Sequence, residues 1–260
     1  MPPSHPTRLL YILHGFLGFR LQLLPLATRL SRARLTPPAK LITYPYPSTR
    51  HRVAAHGAAL AAHVASAVEG AGAGAAGGGA RAGRPARVDF VTHSFGGVVL
   101  RAAMADESMP EEARRGRACL LGPPLQGAAV ARWFARSPVA PLARTVMGSE
   151  TGAELSQEPF KGYNGGGAFP PSCRVLVVAG DLGPVNPMLD ESSDGVVGVS
   201  ETALETPHRR HHVKVWHNML LFDAKVAETV VDFLNEDDEA ELEEGQRMVR
   251  SEIQDEVGER

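Results

Sequence analysis

Short apolar runs alternate with segments of helical periodicity along most of this 260-residue chain. Such alternation is typical of parallel strands, because parallel neighbours need a long, usually helical, crossover connection. Most of the runs are continuous and apolar, as in strands that are buried on both faces. The six candidate strands are Leu9 to Leu13, Lys40 to Tyr44, Val88 to Val91, Ala118 to Leu121, Val175 to Ala179 and His212 to Trp216. The pattern predicts an α/β fold with a mostly parallel central sheet and helices on both faces.

Two amphipathic stripes recur at helical spacing and are expected to pack on the sheet. One consists of Val53, Gly57, Leu60, Val64 and Val68, and the other of Ala227, Val230, Val231 and Leu234. Gly70 to Arg84 contains only Gly and Ala apart from two arginines, a composition that predicts a mobile surface loop.

The segment from Pro123 to Ser172 separates two candidate strands by far more residues than a crossover needs. Its apolar residues, interrupted by prolines, predict a cap or lid over a site. We expect residues 1–235 to form one catalytic domain, because this length lies within the range of a single α/β domain. Residues 236–260 carry 11 acidic and 3 basic residues, which predicts a separate, solvated acidic tail.

The charge balance excludes a strong general attraction to polyanions. Lys and Arg total 27 against 29 Asp and Glu, so nucleic acid is not an expected partner. No run approaches the ~20 apolar residues needed to cross a bilayer, although a peripheral contact with a membrane stays open. Residues 1–7 do not resemble a signal peptide, which favours a cytoplasmic location. Cys119 and Cys173 lack metal-site spacing; buried free thiols are favoured, with a single disulfide as the alternative.

The run from Val88 to Gly97 places Ser94 between a β-like run and a glycine-bounded helix start. A serine hydroxyl attacks carbonyls poorly unless it is exposed on a sharp turn, deprotonated by a base and supported by an oxyanion site. Gly96 satisfies the small-residue requirement two positions after the serine, whereas Thr92 replaces the glycine expected two positions before it. The sequence predicts that Ser94 is a nucleophile.

His217 follows the last candidate strand, at the sheet edge where the carboxyl ends of parallel strands converge. We therefore interpret it as the base. The orienting carboxylate is expected late in the chain, and Asp194 is favoured because it lies in a Ser-Ser-Asp-Gly turn. Asp181 is the second choice and Asp190 the third.

An oxyanion hole requires two backbone N–H groups beside the serine. We expect one from Phe95, the residue after the nucleophile, and one from Phe16, in the loop after the first strand. Gly15 and Gly18 allow that loop to turn closely, and His14 is expected to order it.

Together these segments resemble the α/β-hydrolase family, and within it serine esterases and lipase-like enzymes. The likeness covers most of the chain and is carried by His14-Gly15, by Thr92-His93-Ser94-Phe95-Gly96-Gly97, by Ser193-Asp194-Gly195 and by His217. Gly122-Pro123-Pro124-Leu125-Gln126-Gly127 also resembles a turn of lipase-like hydrolases, with Leu125 in place of Asn. No calcium site is implied, because the residues after His217 are Asn218, Met219 and Leu220.

The resemblance implies an α/β-hydrolase fold and a hydrolase of carboxylic esters that uses a Ser94, Asp194 and His217 triad and needs no cofactor or metal. Its expected substrate is a small-molecule or lipid ester. A thioesterase or an acyltransferase would use the same acyl-enzyme, and a non-catalytic binding module on the same fold is the alternative of a different class.

Overall fold

The computed structural model describes residues 8–73, 85, 87–136, 151, 154 and 168–236. Its centre is a six-stranded sheet in which all neighbours pair in parallel, in the order β2-β1-β3-β4-β5-β6. The strands are β1 Arg8–Leu13, β2 Ala39–Tyr44, β3 Arg87–His93, β4 Arg117–Leu121, β5 Arg174–Gly180 and β6 Arg209–Val213. The α-helices are α1 Leu24–Arg32, α2 Val53–Ala73, α3 Phe95–Met104, α4 Glu111–Arg114, α5 Ala129–Arg136 and α6 Ala224–Asn235.

The predicted fold class is confirmed, and each of the first five predicted strands lies within the observed one. The sixth prediction, His212 to Trp216, is wrong in position, because β6 spans Arg209–Val213. Its residues are exposed or half-buried and mostly polar, two arginines and two histidines before a valine, as expected of a strand at the sheet edge. Because the strand begins with polar residues, a search for apolar runs does not find its start. The strand ends where the Val215 amide turns back to the Val213 carbonyl.

Helices cover both faces of the sheet, and the alternation of side chains in β1 divides the core into two layers. Leu9, Tyr11 and Leu13 join the layer that includes buried residues of α2 and α3. Leu10 and Ile12 point to the opposite layer, which includes residues of α1 and α6. Each fully buried side chain of this size contributes roughly 1.5–3 kcal/mol relative to an exposed one. The two layers hold the strand ends in fixed relative positions.

Helix α2 extends further than its sequence suggests. Val53, Leu60, Val64 and Val68 are buried, which confirms the predicted stripe. The loop predicted over Gly70 to Arg84 is wrong for its first four residues, because α2 continues to Ala73. Alanine favours the helix, and each intervening glycine costs only about 1 kcal/mol. Residues 74–84 lie outside the described part of the chain.

The amino edge of the sheet is held by a buried cluster around Asp89. The Asp89 carboxylate lies 3.3 Å from Arg8 Nε and 3.0 Å from Arg87 Nε, and it accepts the Arg117 backbone N–H at 2.8 Å. The Arg8 and Arg117 guanidinium groups also donate to the Leu234 carbonyl, at 2.8 and 2.7 Å. Cations at the carboxyl end of a helix complement its dipole. The cluster thus fixes the end of α6 beneath β1, β3 and β4.

Several predictions concern segments that the structure describes only in part. Of the insert over 123–172, the structure describes 123–136, 151, 154 and 168–172, so the cap stays a prediction. Glu236, predicted to begin the tail, instead contacts the folded domain through Arg174 and Arg209; residues 237–260 lie outside the described chain.

The cysteines and the helices answer two further questions raised by the sequence. Cys119 and Cys173 are buried free thiols, and burial raises the pKa of Cys173 to about 12. Among the described residues, no helix is both long enough and apolar enough to span a bilayer.

Candidate active site

Ser94 lies on the sharp turn between β3 and α3. Its φ of 53° and ψ of −124° place a non-glycine residue in a sparsely populated region, at a cost of order 1–3 kcal/mol. The surrounding structure holds it there, because the Ser94 amide donates to the Leu121 carbonyl at 2.8 Å and the Ser94 carbonyl accepts from Gly97 at 2.9 Å. A Cβ on Gly96 would lie 2.8 Å from the His14 carbonyl oxygen. The strained turn therefore depends on a glycine at 96.

Thr92 occupies the position where a glycine was expected, and it is buried between β1 and β4. Its register partners are Leu13 and Leu120. On the helix above, a Cβ on Gly97 would lie only 3.3 Å from Thr92 Oγ1. Glycine at position 97 thus leaves room for Thr92 and, more closely, for Pro123, whose Cβ would lie 2.9 Å from the added atom.

Asp194 and His217 form a buried pair beside this turn. Asp194 is 1% exposed and its Oδ2 lies 2.6 Å from His217 Nδ1. The other carboxylate oxygen, Oδ1, accepts the backbone N–H groups of Val196 at 3.0 Å and Val197 at 2.8 Å. The His217 amide donates to the Asp194 carbonyl at 2.9 Å. Because a carboxylate only accepts, His217 carries its proton on Nδ1 and leaves Nε2 as an acceptor.

Gly122, the residue after β4, lies between the serine turn and this pair. It follows Leu121, which bonds the Ser94 amide, and its φ is +55°. A Cβ at this position would lie 3.0 Å from Asp194 Oδ2 and 3.1 Å from His217 Nδ1. The segments that follow β3, β5 and β6 thus bring the three predicted residues to one edge of the sheet. Among the described residues, the Ser94 hydroxyl has no hydrogen bond to another protein group.

The two predicted oxyanion donors flank the serine. A Cβ on Gly15 would lie 2.9 Å from Ser94 Cβ, so the loop after β1 lies against the serine turn. The rings of Phe16 and Phe95 meet edge to face with centroids 5.9 Å apart. Leu17, with φ of 52°, donates its amide to Ser48. Within the described chain, neither the Phe16 nor the Phe95 amide N–H donates to another protein group.

His14 orders this loop from below, as expected. Its ring stacks on Tyr46 with centroids 4.4 Å apart, and its Nδ1 lies 2.9 Å from the Gly15 carbonyl oxygen. The Tyr46 hydroxyl donates to the His14 carbonyl at 2.7 Å. Burial lowers the pKa of His14, which keeps the ring neutral. His14 is thus a support for the loop.

Asp181, the second choice for the acid, does not approach His217. Its carboxylate accepts a hydrogen bond from Ser192 and lies 3.1 Å from His212 Nδ1 on the surface. The hydrogen bond from Ser192, and to a smaller extent that from His212, lowers the pKa of Asp181. Asp190, the third choice, is exposed. The structure therefore brings Asp194, and neither alternative, to the histidine.

His93 has a role in the site that the sequence reasoning did not assign. Its Nε2 lies 3.0 Å from the His217 carbonyl oxygen, and the two rings are 4.8 Å apart. Burial, with the nearby His217, lowers the pKa of His93 to about 3, so the ring is neutral and donates from Nε2. His93 thus helps to fix the backbone of His217. The sequence feature that could have indicated this contact is the position of His93 directly before Ser94.

The comparisons with known proteins concern the fold. By sequence, no protein family and no curated protein matches the chain. The structure of the lipase BlEst2 of Bacillus licheniformis in mature form is similar over 90% of this chain and 94% of that chain, at 15% identity and a TM-score of 0.65. A gene product of Listeria innocua is similar over 88% and 94%, at 16% identity and a TM-score of 0.56.

A third similar structure is lipase B of Aspergillus fumigatus, at 13% identity and a TM-score of 0.57. It covers 90% of this chain, which spans only 54% of that lipase. Sequence identities this low establish a common fold and leave activity to the site itself. The chain has the α/β-hydrolase fold, as the sequence resemblance implied.

Proposed function

We propose that the protein is a serine hydrolase that cleaves carboxylic esters through an acyl-enzyme. The observation that carries the proposal is the buried contact of 2.6 Å between Asp194 Oδ2 and His217 Nδ1, beside a serine held in a strained turn. A serine on an ordinary surface turn needs neither the strain nor a buried, correctly protonated histidine. The lipases with the same fold support an ester as the substrate.

In the first half of the reaction, Ser94 Oγ attacks the ester carbonyl carbon while its proton passes to His217 Nε2. Asp194 stabilises the resulting imidazolium cation. The carbonyl oxygen becomes an oxyanion and accepts the N–H groups of Phe16 and Phe95. When the tetrahedral intermediate collapses, the bond to the leaving oxygen breaks, and His217 gives its proton to that alkoxide. The alcohol departs and the acyl group remains on Ser94.

In the second half, a water molecule takes the place of the alcohol. His217 accepts a proton from the water as its oxygen attacks the acyl carbon, and the same two amides hold the second oxyanion. Collapse returns the proton to Ser94 Oγ and releases the carboxylic acid. Each step uses only groups of this chain and water.

Exposed apolar side chains near the site favour hydrophobic esters as substrates. Leu17, Phe19 and Leu21 follow the oxyanion loop with 53%, 55% and 71% of their surface exposed. Trp216 and Met219, on either side of the base, are about half exposed. An apolar acyl chain or alcohol would bury part of this surface, at roughly 25 cal/mol for each Å² removed from water.

Hydrolysis of p-nitrophenyl esters of increasing acyl length tests the proposal. We expect turnover in the wild type, a kcat/KM that rises from acetate to medium-chain esters, and loss of turnover in Ser94→Ala. Activity that survives Ser94→Ala in the purified protein would contradict the assignment of the nucleophile. A kcat/KM that falls steadily with acyl length would contradict the hydrophobic substrate.

A further inference from the structure

A buried carboxylate joins the loop of the proposed acid to the first helix of the insert. Glu201 is 5% exposed, and its two oxygens face different parts of the chain. Oε2 accepts the backbone N–H of Gly198 at 2.9 Å. Oε1 accepts the backbone N–H of Ala129, the first residue of α5, and Arg132 Nη2 at 3.1 Å.

The bond to Gly198 reaches the acid within a few residues. We define residues 193–198 as the acid loop, which closes through an antiparallel bridge between Ser193 and Gly198. Inside it, Asp194 Oδ1 accepts the Val197 amide at 2.8 Å, and the Asp194 amide donates to the Val197 carbonyl at 3.2 Å. A displacement of Gly198 therefore moves the amides that orient the Asp194 carboxylate.

The bonds on the other side hold the start of the insert. Ala129 and Arg132 both belong to α5, so one oxygen of Glu201 holds the first turn of that helix. The Gln126 amide donates to the Glu201 carbonyl at 3.0 Å, and its side chain donates to the Ala203 carbonyl at 2.9 Å. Residues 201–203 thus hydrogen-bond to the start of the insert on one side and to the acid loop on the other.

We propose that Glu201 is a positioning residue that couples the position of α5 to the orientation of Asp194, and through it to His217. A buried carboxylate that loses one set of donors is left with uncompensated charge, and this cost favours movement of both sides together over release of one side alone. A substrate that displaces α5 would in this way alter the base. The inference rests on the proposed function for its kinetic consequence, but its structural part does not.

Glu201→Gln tests the coupling because it keeps the size of the side chain, removes the charge and turns an NH2 group toward one set of donors. We expect kcat to fall about tenfold with a smaller change in KM, because Glu201 would act on the reaction only by displacing Asp194 and His217 from their positions. In an Asp194→Asn background the same change should have no further effect on kcat, because the residue through which it acts is already disabled.

A second readout does not depend on activity. The proton on His217 Nδ1, in a bond of 2.6 Å to Asp194, should give a far-downfield NMR signal. This signal should shift in Glu201→Gln. The two failures are distinguishable. If the wild type gives the signal and Glu201→Gln shifts it, but the wild type does not hydrolyse esters, the proposed function fails and the coupling stands.

Two further variants complete the design. Arg132→Gln removes a donor to Glu201 on the α5 side only and should also shift the NMR signal. Because Arg132 is partly exposed, this variant can replace Glu201→Gln in the test if Glu201→Gln does not fold. Glu111→Gln is the matched control, because Glu111 pairs with Arg115 on the exposed surface of α4 at 3.4 Å and its loss should leave the signal unchanged. An unmoved signal in both folded test variants, or an equal loss of kcat from Glu201→Gln in both backgrounds, would overturn the coupling.

Discussion

Replacing Asp194 by asparagine should disable the base without removing a contact, because the structure dictates how the amide would be oriented. Oδ1 accepts two backbone N–H groups, from Val196 and Val197, and only the carbonyl oxygen of an asparagine can replace it there. The NH2 group would then point at His217 Nδ1, in place of the oxygen that now accepts its proton at 2.6 Å. The histidine would have to move its proton to Nε2, where it can no longer accept the serine proton.

Fixing the wrong tautomer in a Ser-His-Asp triad lowers kcat by about 10⁴, or roughly 5 kcal/mol of transition-state stabilisation. We expect a loss of this order in Asp194→Asn, measured as kcat/KM for p-nitrophenyl butyrate. Asp181→Asn is the matched control: it also changes one carboxylate to an amide, but on the surface, and should stay within about twofold of wild type. Circular dichroism should show that both variants are folded. A loss below tenfold in Asp194→Asn, or a larger loss in Asp181→Asn, would refute the reasoning.

Three further expectations concern other parts of the molecule. Gly122→Ala should lower kcat by about 10- to 100-fold, because the new Cβ would lie 3.1 Å from His217 Nδ1 and misplacement of this size is costly; an unchanged kcat would show that the pair can move aside. Burial lowers the pKa of His56 from 6.5 to about 4. Between these two pH values the unfolded chain binds a proton on His56 that the folded chain does not, so stability falls as the pH drops. The wild type should therefore lose about 2 kcal/mol more than His56→Gln between pH 7 and 5 in urea unfolding; equal losses would contradict the shift. Asp89→Ala should cost about 3–5 kcal/mol of unfolding free energy, because it leaves buried guanidinium groups uncompensated. Glu111→Ala, which removes one partner of the exposed Glu111–Arg115 pair, should cost less than about 1 kcal/mol. Similar losses in the two variants would refute the role of burial.

The features that could be predicted from the sequence are those written in local patterns. Apolar runs place β1 to β5, because buried parallel strands have no polar face. Gly195 after Asp194 indicates a turn, and the structure gives this glycine a φ of +91° with its Cβ position 2.7 Å from the Trp216 ring. The order of Ser94, Asp194 and His217 indicates one sheet edge for all three, because the carboxyl ends of parallel strands converge there.

The remaining features depend on contacts between distant residues. Strand β6 is a mostly polar edge strand that begins with two arginines and two histidines, so its start carries no apolar signal. The bond of His93 to His217 joins residues 124 positions apart, and that of Glu201 to Ala129 joins residues 72 positions apart. No local pattern distinguishes these side chains from solvated ones, because their burial is decided by how the insert and the acid loop pack.

The central claim, that Ser94 is a nucleophile activated by its surroundings, is tested most directly by a fluorophosphonate probe followed by intact mass spectrometry. The account predicts one covalent adduct per folded chain, located on Ser94 by peptide mapping. The adduct should be absent in Ser94→Ala and should form far more slowly in His217→Ala. A folded wild-type protein that stays unlabelled, or carries its adduct on another residue, would contradict the account.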